Sequence, residues 1–350
     1  MIISEPTLII DKERVIGNID NMISRAKSFD TELRPHFKTH QSAEIAELFK
    51  ERGINKIAVS SVSMAEYFAS YGWNDITIAF PLNLLQISQI NNLTKKINLN
   101  ILVDSLYSIQ LLSNLITHSM GVFLKIDTGY HRAGISFDDN EIDKIIKEIT
   151  QSKHLEFKGF LSHAGHTYNA KGKNEIEKIV TDSYNQLKQL KNKFPGSIIS
   201  WGDTPSCSMA DNLDGFDELR PGNFVYYDVM QYHIGSCKME EIAVVVACPV
   251  VSVFPQREEI VIYGGAVHLS KEFIAADNNF KLFGYVVKFE DNKWTLPING
   301  AWLSNLSQEH GIIKMPKEQI KLFKPGDLIG ILPIHSCLTA NLLKDKTKLV

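Results

Sequence analysis

From Leu33 to about Asp228 the chain alternates short runs rich in β-branched and aromatic residues with stretches whose apolar positions recur every three or four residues. The short runs predict strands at 33–37, 56–62, 76–80, 100–103, 122–127, 157–163, 198–203 and 218–226. Ile142, Ile145, Ile146 and Ile149 share one helical face, as do Ile176, Ile179, Val180, Leu187 and Leu190. Strands and helices in this alternation predict a (β/α)8 barrel. An open doubly wound sheet is the alternative, but neither G-x-G-x-x-G nor G-x-x-x-x-G-K-[ST] follows a strand. Beyond Asp228 the helical periodicity fades. The β-rich runs 242–251, 259–263, 283–289 and 327–332, separated by Pro, Gly, Asn and Asp, predict a mostly β second domain. The expected domains are therefore 8–234 and 235–350, with residues 1–7 packed on the second.

Composition leaves this picture standing and narrows the function. Lys and Arg number 37 against 40 Asp and Glu, and a net charge of −3 argues against a nucleic-acid backbone as ligand. The most apolar stretch, 242–254, is broken by Pro249, and the opening Met-Ile-Ile-Ser-Glu-Pro has neither a basic nor an apolar region. Neither a membrane span nor a secretory leader is expected. Cys207, Cys237, Cys248 and Cys337 are too scattered for a disulfide framework, so the expected setting is a reducing cytoplasm.

Two places in the chain carry chemistry on their own residues. Lys38 stands at the end of the first predicted strand, where barrel enzymes put their chemistry, with His36 and His40 on either side and Arg34 near. Neighbouring cations lower an amine's pKa, which suits a Schiff-base lysine. Alone, such a lysine reads as a solvated surface residue, and context must supply the case for chemistry. His335 and Cys337 form H-x-C; in an extended segment both point to one side, and nitrogen plus sulfur suits zinc with positions left open. An isolated H-x-C is also a common chance pairing.

Six motifs in order make the reading specific: Arg34-Pro-His-Phe-Lys-Thr-His40, Asp127-Thr-Gly-Tyr-His-Arg-Ala-Gly134, Ser162-His-Ala-Gly-His-Thr-Tyr168, Arg220-Pro-Gly-Asn223, Ser307-Gln-Glu-His-Gly311 and Pro333-Ile-His-Ser-Cys-Leu-Thr339. Over nearly the whole chain this pattern resembles the pyridoxal-phosphate enzymes that comprise metal-dependent D-serine dehydratases and D-threonine aldolases, whose barrel is similar to that of alanine racemase. The resemblance implies that Lys38 carries pyridoxal 5'-phosphate covalently, that His163 lies beside the cofactor ring, and that Arg132 faces the pyridine nitrogen. A guanidinium keeps its proton, so the ring would be a weaker electron sink. The phosphate would be met by Gly202 and Thr204, by Gly222 and Asn223, and by the hydroxyls of Tyr168 and Tyr226; the alternative for each glycine is an ordinary turn.

The aldolases of the group resemble H-x-D where this chain has His335-x-Cys337, whereas D-serine dehydratases and 3-hydroxyaspartate dehydratases resemble H-x-C. Zinc, or another divalent metal, is expected there. Glu309 and His310 receive no step, and His310 is equally a partner of the metal site or a structural histidine. The expected activity is deaminating β-elimination from a D-β-hydroxy amino acid, D-serine to pyruvate and ammonia, by a homodimer with no nucleic-acid or membrane partner. D-threonine aldolase and 3-hydroxyaspartate dehydratase are the alternatives within the fold. A non-catalytic pyridoxal-phosphate carrier is the alternative of another class; such carriers lack the second domain.

Overall fold

In the computed structural model, which describes residues 3–276, 280–290 and 293–350, the chain divides into two compact units. One comprises residues 20–38 and 43–222; the other comprises the N-terminal segment through Ile19, residues 39–42, and residues 223–350. The first two residues of the expected 1–7 segment lie outside the described residues. The first strand, β1 (Thr7–Ile10), belongs to the second unit.

Eight parallel strands build the first unit: β2 (Glu32–Leu33), β3 (Lys56–Val59), β4 (Asp75–Pro81), β5 (Asn98–Val103), β6 (Met120–Lys125), β7 (Leu155–Leu161), β8 (Ile198–Trp201) and β9 (Glu218–Leu219). Their spatial order is β2-β9-β8-β7-β6-β5-β4-β3. A parallel bridge between His36 and Ala58 joins the two ends, with the Phe37 N–H donating to the Ala58 carbonyl at 2.9 Å. The ring of strands is thereby nearly closed, as the alternation predicted. Its outer helices bury the expected faces: Ile142, Ile145, Ile146 and Ile149 in the helix Ile142–Gln151, and Ile176, Val180, Leu187 and Leu190 in Lys173–Lys193.

The strands expected at 33–37 and 218–226 are much shorter than predicted. Pro35 and Pro221 have no N–H to give the ladder, and after Pro221 the chain turns into a short helix, Asn223–Val225. Pairing nevertheless continues through carbonyls, from the Arg34 N–H to Leu219 and from the His36 N–H to Pro221, both at 2.9 Å.

Barrel interiors are usually layered with Val, Ile and Leu. Here Leu102, Phe123 and Leu161, with Ile198 against them, form one buried apolar cluster. Beside it a polar chain threads the barrel. The Arg34 guanidinium donates to Asp75 and to Glu218, each at 2.6 Å; Ser200 donates to the other Glu218 oxygen at 2.6 Å. The Arg220 Nε donates to the Ser200 hydroxyl at 2.6 Å, and its Nη2 to the Ser162 carbonyl at 2.5 Å. Burial alone would lower the Arg34 pKa, but Glu218 and Asp75 outweigh it and hold the guanidinium above its ordinary value.

The second unit is built on a mostly antiparallel sheet around β10 (Val244–Phe254). Residues 244–249 pair with β1 and with Leu328–Pro333, and after an irregularity at Val250–Ser252 the strand turns to pair with Glu259–Tyr263. Such a bulge lets one strand serve two neighbours. The sheet continues through His310–Lys314, Trp302–Leu306 and Gly284–Val287 back to Leu328–Pro333, so these strands ring a core of Val246, Ile260, Ile262, Leu303, Ile313 and Ile331. No helix among the described residues is long and apolar enough to cross a membrane.

The buried polar chain generates a stability prediction. Glu218→Ala leaves Arg34 partly unpaired and Ser200 without its acceptor, and should cost about 3–5 kcal/mol in urea unfolding. Asp143→Ala, which breaks the exposed pair with Lys193, should cost under about 1 kcal/mol. Equal costs would mean that the chain is not what supports the barrel.

Candidate functional site

The C-terminal strand ends of the first unit collect cations. Lys38 is exposed in the turn after the His36 bridge, and its two predecessors fix that turn. The ring of Phe37 is fully buried, with the rings of Phe49, Phe68 and Trp73 each centred 5.0 Å away. The His36 Nδ1 accepts the backbone N–H of Lys38 at 3.3 Å, and its Nε2 lies 3.5 Å from the Ser60 hydroxyl. Burial, with the charges of Lys38 and Arg220 adding to it, pushes the His36 pKa well below the usual imidazole value.

His163, just past β7, places its Nδ1 2.8 Å from the Gly202 carbonyl and so donates there, leaving Nε2 with its lone pair. Its pKa too is well below normal: burial dominates, the bond to Gly202 opposes it, and Lys38, Lys125 and Arg132 lower it further. Lys125, the last residue of β6, is buried, and burial reinforced by Arg220 and Arg132 drives its ammonium down to about 7 against the weaker pull of Asp127 and Asp104. Sequence reasoning missed Lys125, although strand alternation puts it on the interior side with Phe123.

The loop after β6 is shaped by Asp127, whose Oδ1 accepts the backbone N–H groups of Gly129, Tyr130 and His131, each at 3.0 Å. Arg132 on this loop is exposed, with its guanidinium 4.9 Å above the Tyr130 ring. The buried guanidinium of this end is Arg220. Gly202 has φ 148°, and a Cβ there would meet the Arg220 backbone nitrogen at 2.6 Å, so only glycine lets the two strand ends approach. Thr204 is buried at the start of the helix Thr204–Met209, which Asp203 caps; Tyr168 and Gly222 are half-buried. Four cations act on two imidazoles here, and the nearby Asp127 is already spent on its own loop. That surplus, beside turns rich in backbone N–H groups, fits a phosphate ester.

Asn223, Tyr226, His335 and Cys337 belong to the second unit. The extended segment expected at 335–337 is instead a strand-to-helix junction. The strand ends at Pro333, His335 keeps extended angles (φ −132°, ψ 100°) as the N-cap, and Cys337 lies in the first turn of Ser336–Leu342. No side-chain cap comes from His335; the buried Asp228 supplies it by accepting the Ser336 N–H at 2.9 Å. The imidazole and the sulfur still converge, within hydrogen-bond reach of each other. Burial would lower the His335 pKa, but the bonds to Cys337 and Glu272 raise it to about 11.

Glu272, which no sequence signal marked, accepts from the His335 Nδ1 at 2.6 Å and so leaves Nε2 for another partner. A carboxylate behind a histidine is the usual support of a zinc-binding imidazole. Among the described residues no three His, Cys, Asp or Glu side chains are placed to hold a metal; the pair offers one nitrogen and one sulfur. That set fits zinc with open positions. Tyr226 is buried, and the Asn223 amide is turned to Asp228 at 2.6 Å, Ser336 at 3.1 Å and Cys337 at 3.5 Å.

Glu309 lies in the turn before the strand that His310 opens, where the chain presses on Gly264 and Gly265; a Cβ at Gly265 would meet the Gln308 carbonyl at 2.3 Å. His310 is exposed, and Glu309 lies 3.8 Å from His268. Cys207 and Cys248 are fully buried, and burial raises both thiol pKa values.

Two family profiles match the chain: "Alanine racemase, N-terminal domain" over residues 10–229, and "Putative serine dehydratase domain" over 243–347. D-serine dehydratase of Dictyostelium discoideum is 31% identical, with 98% of this chain and 92% of that protein aligned. D-threo-3-hydroxyaspartate dehydratase of Delftia sp. is 27% identical over 95% of this chain and 91% of its own. The solved structure of a cysteine-to-alanine mutant of D-threo-3-hydroxyaspartate dehydratase in the metal-free form superimposes with a TM-score of 0.88, at 26% identity, covering 97% of this chain and 93% of the other.

The lowered pKa of the half-buried His163 imidazole makes a pH prediction. Its native pKa is depressed, so below about pH 6.5 the unfolded chain takes a proton that the native chain refuses, and stability falls with pH. Between pH 7.5 and 5.5 the His163→Gln variant should lose about 1.4 kcal/mol less stability than the wild type. Equal losses in denaturant titrations would show that His163 is protonated in the folded protein.

Proposed function

Because the chain belongs to the family that joins an alanine racemase N-terminal domain to a serine dehydratase domain, we propose that it is a pyridoxal-phosphate- and zinc-dependent lyase that converts D-serine to pyruvate and ammonia. The observation that carries dehydration over racemisation is the imidazole–thiol pair of His335 and Cys337 with Glu272 behind it. Racemisation has no use for a metal beside the β-carbon. A second reading, dehydration of a 3-hydroxyaspartate, keeps the same pair and rests on the relative that is 27% identical.

Lys38 would hold the cofactor and, once released, move the proton at the substrate Cα. Pyridoxal phosphate, when bound, supplies the electron sink that makes that proton acidic. His36 and the Phe37 ring cluster hold the lysine's turn in place, and His163 offers the cofactor ring a neutral face. Of the two guanidiniums, buried Arg220 suits the pyridine nitrogen better than exposed Arg132, which is left to the substrate side. Either one keeps its proton, which limits how long charge can rest at Cα and favours prompt loss of the β-substituent. The backbone N–H groups at Gly202, Thr204, Gly222 and Asn223, with the hydroxyls of Tyr168 and Tyr226, remain the proposed phosphate contacts. His335 and Cys337 would hold zinc, which when bound supplies a Lewis acid for the β-hydroxyl.

A homodimer is proposed on the family pattern, and the exposed Phe80, Leu85 and Tyr107 of the first unit support it. Four free cysteines support a cytoplasmic setting.

Purified protein given D-serine should form pyruvate, and given L-serine should form none. Lys38→Ala should abolish both the activity and the borohydride-reducible link to the cofactor. Aldehyde from D-threonine without keto acid, or D-serine turned into L-serine, would displace the dehydratase reading; a label on another lysine would displace Lys38.

A further inference from the structure

Cys337 has more around its sulfur than a metal ligand requires. The Thr39 hydroxyl lies 3.2 Å from Sγ, and Thr39 is fully buried. Among the described residues this sulfur is the one side-chain or backbone partner recorded for that hydroxyl. A buried threonine usually turns its hydroxyl to a nearby carbonyl. When the sulfur is a thiolate it has no proton to give, so the hydroxyl must be the donor.

The second contact is the Asn223 amide nitrogen at 3.5 Å from Sγ. Its orientation follows from chemistry: the same nitrogen faces the Asp228 carboxylate at 2.6 Å, where an amide oxygen would be repelled. Asp228 in turn accepts the Ser336 N–H and so fixes the helix turn that carries Cys337. The Asn223 amide has two hydrogens, and Asp228 at 2.6 Å and Ser336 at 3.1 Å lie closer to it than the sulfur, so Thr39 is the principal donor and Asn223 a weaker third contact; both residues are buried and neither depends on solvent to stay in place.

We propose that Thr39, seconded by Asn223, forms a donor cradle that tunes the Cys337 thiolate as a metal ligand. This rests on the reading of His335 and Cys337 as the metal pair. Each donor draws electron density from the sulfur lone pairs. The sulfur then gives less charge to the metal, and the metal keeps more of its power to polarise a substrate oxygen. Thr39 and Asn223 are positioning residues: they touch the ligand atom, not the substrate.

The test uses the full-length protein loaded with cobalt(II) in place of zinc. Wild-type protein should show a sulfur-to-cobalt charge-transfer band. In Thr39→Val, which keeps the shape and removes the hydroxyl, the lone pairs rise in energy, so the band should move to longer wavelength; the sulfur also loses the contact that positions it, so cobalt affinity should fall about 10-fold. Thr39→Ser should restore both. A band at the same position in wild type and Thr39→Val would overturn the cradle while leaving the metal pair intact. Absence of any such band in cobalt-loaded wild type would overturn the metal reading, and the cradle with it.

Discussion

A guanidinium inside a barrel is possible only if something answers its charge, and the structure of the first unit follows from how Arg34 is answered. Glu218 and Asp75 meet it at 2.6 Å, and Glu218 passes the connection through Ser200 to Arg220 and on to the carbonyl of Ser162. Five strands, β2, β4, β7, β8 and β9, are tied at or just past their ends by bonds whose loss would strand a charge. The consequence is felt at the C-terminal ends of the strands. Arg220 is held beneath them, and the backbone at Ser162 that carries His163 is set by the same network.

Electrostatics at that end follows from burial under a surplus of cations. Desolvation pushes the pKa of His36 and of His163, both half-buried, well below the usual imidazole value, and Lys38, Arg132 and their neighbours push the same way with their positive charge. Lys125 yields to the same pressure and comes down to about 7. A site of this kind is poorly matched to a cation and well matched to an anionic phosphate. The second unit solves a different problem, with Asp228 capping a helix turn so that His335 and Cys337 converge and Glu272 steadies the imidazole.

Much of this was legible in residue order. Alternation and periodicity predicted the barrel, because most of its strands carry an apolar run and its outer helices an apolar face long enough to show. Thr7–Ile10 was too short to show any, and the two shortest barrel strands were overestimated because apolar runs do not reveal where Pro35 and Pro221 end a ladder. At the site, Lys38, His163, His335 and Cys337 stood in motifs. Lys125 and Arg220 did not declare a role, since burial depends on the whole ring of strands, and Glu272 reaches His335 from 63 residues away. The junction at 335–337 was read as extended because its cap comes from Asp228, which is 108 residues distant.

The central claim is a division of labour in which residues of the barrel move the α-proton while His335 and Cys337, through a metal, act only on the β-hydroxyl. The most direct measurement takes protein stripped of metal, verified by elemental analysis, with pyridoxal phosphate still bound, and gives it D-serine in deuterium oxide. The account predicts deuterium at Cα with no pyruvate until zinc is restored. Full pyruvate formation in the metal-free protein would contradict it.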